Sequence, residues 1–135
     1  MRRTLLAMLA ILTALVVQSL APPAVTAERT GPGLFIYHRV SVDCGFVEHQ
    51  HGRNASWGRW TALTSEVAFE VAEAGGGEGR LVLQCRDGDD CIDTGTRRTD
   101  PSLSRHEIPF ATPDLARDYL DRVQVQLAAC PAGAG

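Results

Sequence analysis

His49 and His51, in the run Glu48-His49-Gln50-His51, are the side chains whose type and spacing best suit a metal ion. Residues two apart in an extended chain share a face, and two imidazoles on one face fit zinc or copper once a third ligand arrives from elsewhere. The run continues into Gly52, Arg53 and Asn54, which favours a solvated loop over a metal site. Asp87, Asp89, Asp90 and Asp93 crowd one short stretch and offer carboxylates to calcium. Their spacing is not that of an EF-hand loop, so a polar hairpin tip is the simpler account. Arg53, Trp57, Arg59 and Trp60 combine cations with aromatic faces, a pairing that can form a ligand surface through stacking and cation–π contact. Tryptophan is also largely buried in most proteins, and with two Trp, two Tyr and four Phe in the whole chain, at least one Trp is expected in the core. None of these patterns calls for a cofactor.

For catalysis the chain offers Ser, His and Asp without a nucleophile-elbow or any other positioned motif. All 13 basic residues are Arg, so Schiff-base and lysine-nucleophile chemistry is excluded, and the bias fits a GC-rich bacterial coding sequence. Small secreted ribonucleases use His, Glu and Arg, but the basic surface their substrate requires is not evident here. Loss of Arg2 and Arg3 with a signal peptide leaves 11 Arg against 16 acidic residues, a net charge of −5. That charge argues against nucleic acid or an anionic membrane as partner.

The four cysteines read as structure rather than chemistry. Cys85 and Cys91 flank a five-residue polar loop with an Asp-Gly reversal, a hairpin able to bring two Cβ atoms to bonding distance. Cys44 and Cys130 are then left for each other. A redox pair usually shows C-x-x-C, and structural zinc sites usually contain two ligands two to four residues apart, so neither role fits well.

The elements that position these residues follow from periodicity. Arg2 and Arg3, the apolar run Leu5–Val17 and the small residues of Val25-Thr26-Ala27 read as a secretory signal over 1–27. The apolar run is 13 residues, short of the ~20 a spanning helix needs, so stable membrane insertion after cleavage is not expected. Residues 28–33 then read as a flexible N-terminal tail, 34–130 as one domain, and 131–135 as a second flexible tail. Leu34–Asp43 alternates as a strand with Leu34, Ile36, His38, Val40 and Val42 on one face. Ser65–Ala74 fits a half-buried strand or an Ala/Glu-rich helix, and the Gly75–Gly79 link to Leu81-Val82-Leu83 favours the strand. Cys91–Thr94 and His106–Ala111 are further strands. Thr112-Pro113-Asp114 starts a helix, along which Leu115, Ala116, Tyr119, Leu120, Val123, Leu127 and Cys130 form an apolar stripe ending at Pro131.

The expected fold is therefore α+β and disulfide-stapled, a small antiparallel sheet or partly closed barrel carrying one C-terminal amphipathic helix. Its element order resembles that of pleckstrin-homology-like barrels, a likeness of order alone that implies no ligand. The expected function is that of a secreted or periplasmic, non-enzymatic module that binds a protein or an envelope component. The alternative is a small metal-dependent or hydrolytic enzyme centred on His49 and His51.

Overall fold

A computed structural model describes residues 21–30, 36–53, 56–95 and 101–133 of the chain. Two antiparallel sheets, one α-helix and a single 3-10 turn (Thr64–Glu66) make up the regular structure of these residues. The six-stranded sheet runs β1 (Val25–Thr30), β2 (Ile36–Val42), β3 (Phe46–Arg53), β4 (Ser56–Leu63), β7 (Ile92–Thr94) and β8 (Ser102–Leu103), in that spatial order. The three-stranded sheet places β6 (Gly79–Cys85) between β5 (Val67–Glu73) and β9 (Arg105–Phe110). Helix α1 (Pro113–Ala128) packs on β5, β6, β9 and β1. The α+β class stands, while the strands divide into two sheets.

Local chemistry sets each turn. Between β2 and β3, Asp43 Oδ1 accepts from the backbone N–H of Gly45 and of Phe46, each at 2.7 Å, which closes a tight Asx turn. Gly76 and Gly77, both at positive φ, carry the β5–β6 reversal without the penalty a Cβ would bring. The stretch Ser65–Ala74, open to two readings in the sequence, is strand from Val67 to Glu73. Gly79 starts β6 directly beneath the helix: a Cβ there would lie 2.4 Å from the Thr112 carbonyl oxygen. Thr112 in turn caps α1, its Oγ1 accepting from Leu115 N–H at 3.2 Å, with Pro113 at the first helical position.

The core lies in the seam between the sheets. Val42, Val47, Val67, Leu81, Ile92 and Ile108 are fully enclosed, and α1 adds Ala116, Tyr119 and Val123. The helix buries a face somewhat rotated from the expected stripe. Gln126 is buried and Leu120 and Leu127 sit at the margin, while Leu115, expected to plug the sheet, is 51% exposed. Buried Gln126 tolerates its place because its amide bonds Val25 N–H and the Pro23 carbonyl.

Those two bonds hold the start of a strand that the sequence does not announce. β1 crosses the position expected for signal cleavage, so Glu28–Thr30 form its second half, and 31–33 lie outside the described residues. Two disulfides staple the domain in the expected pairing, Cys44–Cys130 across 86 residues and Cys85–Cys91 across six. They fit folding in an extracellular or otherwise oxidising compartment. No helix among the described residues is long and apolar enough to cross a membrane.

Candidate functional site

All four histidines of the chain converge at one end of the seam. Strand alternation explains how. The inner face of the large sheet reads Val42, Val40, His38 along β2 and Val47, His49, His51 along β3, in antiparallel register Val42↔Val47, Val40↔His49, His38↔His51. On β4 the next inward residues are Ala62 opposite Val47, Trp60 opposite His49, and Gly58 opposite His51. The small sheet supplies His106 from β9, beside Leu83 of β6. Moving along one surface, valine and alanine give way to histidine and tryptophan.

His49 is the centre of this cluster and is only 3% exposed. One of its ring nitrogens, Nε2, lies 3.2 Å from His38 Nδ1, and the other, Nδ1, lies 2.9 Å from His106 Nε2. A neutral imidazole has one N–H and one lone pair, so three rings linked this way form a directional chain. With one proton on each ring, both bonds can be made in either direction. A second proton on His49 would turn both nitrogens into donors and require both neighbours to accept. Burial, reinforced by repulsion from His106, His38 and His51, pushes the His49 pKa down to about 3. Burial holds His106 down to about 4, with the Glu107 carboxylate pulling the other way.

Trp60 closes the cluster. Its ring stacks on His49 and His106 with centroids 5.0 and 4.6 Å away. Gly58 makes room for it, since a Cβ at that position would come within 2.6 Å of the indole ring. The run Glu48–His51, expected as a loop, is thus paired strand, and its polar inward residues are tolerated because the rings satisfy one another.

The other sequence candidates separate. Arg59 lies on the outer face of the large sheet, its Nε donating to Glu48 Oε2 at 2.7 Å, whereas Trp60 points inward. Arg53 and Trp57 lie at the far end of the β3–β4 hairpin, and their side chains lie outside the described residues. Asp87, Asp89, Asp90 and Asp93 are exposed around the Cys85–Cys91 turn, Asp93 accepting from Ser102 Oγ at 3.1 Å. Among the described residues, no group of three or more His, Cys, Asp or Glu is arranged to hold a metal ion. His38 and His106 were the members that motif reading passed over. The signal for them was the alternation on β2 and β9, which puts each on the face that looks inward.

Beside the histidines opens an apolar crevice of about 230 Å³. Its walls are Ala27 of β1, Val40 of β2, Ile108 and Phe110 of β9, and exposed Leu115 of α1. His38 reaches it from the cluster, and Arg122, whose guanidinium sits 5.5 Å over the Tyr119 ring, lies at its rim. Comparison with protein-family models, with curated proteins and with solved structures finds no match for this chain.

Proposed function

We propose that the protein is an exported, non-enzymatic binding module that takes an apolar anchor residue of a partner protein into the crevice between β1, β9 and the start of α1. The observation that carries this reading is the crevice itself, apolar on its walls and flanked by Leu115 at 51% exposure. A drug-sized ligand fills about 300–1,000 Å³. At about 230 Å³ the crevice suits a side chain or two instead. Protein interfaces concentrate their affinity in such anchors. Arg122 at the rim favours an acidic neighbour beside the anchor. The signal-like N-terminus, the all-Arg composition and the two disulfides support a bacterial origin and a secreted or periplasmic address. A likeness of element order to pleckstrin-homology-like barrels remains part of this proposal, motivated by antiparallel strands that precede one terminal helix, and it adds no ligand.

A photo-crosslinking residue at Leu115, in protein exported to its native envelope, tests the proposal. One discrete adduct is expected, diminished by Arg122→Glu and missing when the same residue replaces Val125, which is exposed elsewhere on the helix. No adduct at 115, or equal adducts at both positions, would contradict it.

Convergence of all four histidines is the one observation behind a second reading, the small metal-dependent or hydrolytic enzyme, and a metal there would have to displace the hydrogen bonds that occupy both nitrogens of His49. Metal analysis of the purified protein separates the two. Stoichiometric zinc or copper, lost on combining His49→Ala with His51→Ala, would replace the binding module with this reading.

A further inference from the structure

The residues a signal peptidase reads are the residues the fold uses. Cleavage after Ala27 requires the small side chains of Val25 and Ala27, at −3 and −1, to be presented to the protease in extended chain. In the folded protein that segment is already extended and already occupied. β1 pairs with β2 over its six residues, from Val25↔Val42 to Thr30↔Tyr37. Val25 and Ala27, two apart on one face, both pack against the core.

The helix grips the same residues from the other side. Tyr119, with no exposed surface, donates its hydroxyl to the Val25 carbonyl at 2.8 Å. Gln126 accepts from Val25 N–H at 3.2 Å and donates to the Pro23 carbonyl at 2.8 Å. Thr26 Oγ1 bonds Ser41 Oγ at 3.3 Å, and Glu28 pairs with Arg39 at 3.5 Å. Hydrolysis of the Ala27–Glu28 bond would leave three residues of β1 on the mature chain. The Tyr119 hydroxyl and the Gln126 amide would lose these partners, and β2 would be left an open edge along Val40–Val42.

We infer that folding and cleavage after Ala27 exclude one another, so that the folded exported protein keeps residues 23–30, with β1 whole, and has its N-terminus at or before Pro23. Two processing outcomes satisfy this. Val17-Gln18-Ser19 also places small residues at −3 and −1, and a cut there leaves Leu20 first. Alternatively the leader is not removed and the apolar run Leu5–Val17 stays attached. The retained strand also supplies Ala27 and Glu28 to the crevice wall. The inference itself rests on pairing and packing, and does not require the crevice to bind anything.

Intact mass and N-terminal sequencing of the full chain after export, on the fraction that has both disulfides and melts cooperatively, test it. An N-terminus at Pro23 or earlier is expected. Cooperatively folded protein beginning at Glu28 would overturn the inference. A paired measurement uses oxidised chains made to begin at Pro22 and at Glu28. The longer chain is expected to melt cooperatively and the shorter one to show no cooperative transition, and a cooperative melt of the shorter chain would overturn the inference as well. Either failure would leave crosslinking at Leu115 as an independent readout of the crevice.

Discussion

The two ends of the seam between the sheets are built on the same strands and solve burial in opposite ways. At one end Val42, Val47, Ala62, Leu81 and Ile92 meet as hydrocarbon, and the Cys44–Cys130 bridge ties the turn after β2 to the residues that follow α1. At the other, two to four residues further along β2 and β3, His38, His49, His51 and His106 meet with Trp60. The first end depends on non-directional burial, which is indifferent to pH. The second depends on His49 and His106 staying uncharged, because the low-dielectric site that strengthens a satisfied chain also penalises an added charge. One surface therefore contains a structural core and a conditional one, and the crevice opens beside the conditional end.

The largest effect that would sharpen this contrast is removal of the long staple. Replacing Cys44 and Cys130 with Ser is expected to cost about 4–5 kcal/mol, against about 2 kcal/mol for the Cys85–Cys91 pair, from the loop lengths they close. Denaturant melts should show both costs, to a similar extent at pH 8 and pH 5.5, because neither bridge titrates.

The next effect belongs to the histidine end and has a sign. An unfolded histidine gains a proton near pH 6.5, whereas folded His49 stays neutral down to about 3. Its contribution is thus fully present above pH 6.5 and is lost as pH falls below it, by up to about 1.4 kcal/mol per pH unit. His106, held at about 4, adds in the same direction. Stability is expected to decline on acidification through this window. His49→Leu, which removes the titrating ring and keeps the volume apolar, should flatten the slope, and an unchanged slope would break the contrast.

Smaller effects test the packing on each side. Gly58→Ala drives a methyl into the Trp60 ring and should cost about 1–3 kcal/mol, with altered indole fluorescence. Asp121→Ala, on the exposed face of α1, should move the melting midpoint by no more than about 0.5 kcal/mol.

How much of this was legible varies with the physics of each element. The helix was readable because its start is written in three adjacent residues, Thr112, Pro113 and Asp114, whose capping roles are local. The cysteine pairing was readable because a five-residue loop leaves little choice for Cys85 and Cys91. The rotation that buries Gln126 and exposes Leu115 was not, since Gln126 is satisfied by Pro23 and Val25, about a hundred residues away in sequence. β3 and β4 were hidden because their inward positions carry His49, His51 and Trp60 where alternation leads one to look for valine. His49 and His51 could be nominated from spacing alone. Their meeting with His38 and His106 depends on strand register and on the approach of a second sheet, which no local pattern encodes. β1 was concealed by a competing message, since the small residues that mark a cleavage site also suit a strand packed under a helix.

His49 sits uncharged between His38 and His106 in a hydrogen-bonded chain that closes one end of the core. Nitrogen-15 NMR of the four imidazoles, followed from pH 8 downward in the folded protein, tests it most directly. His49 and His106 are expected to hold single tautomers and remain neutral below pH 5, titrating towards about 3 and 4, if the fold survives, or together with unfolding. Titration of either ring near pH 6.5 in protein that stays folded, or rapid averaging between tautomers at neutral pH, would contradict it.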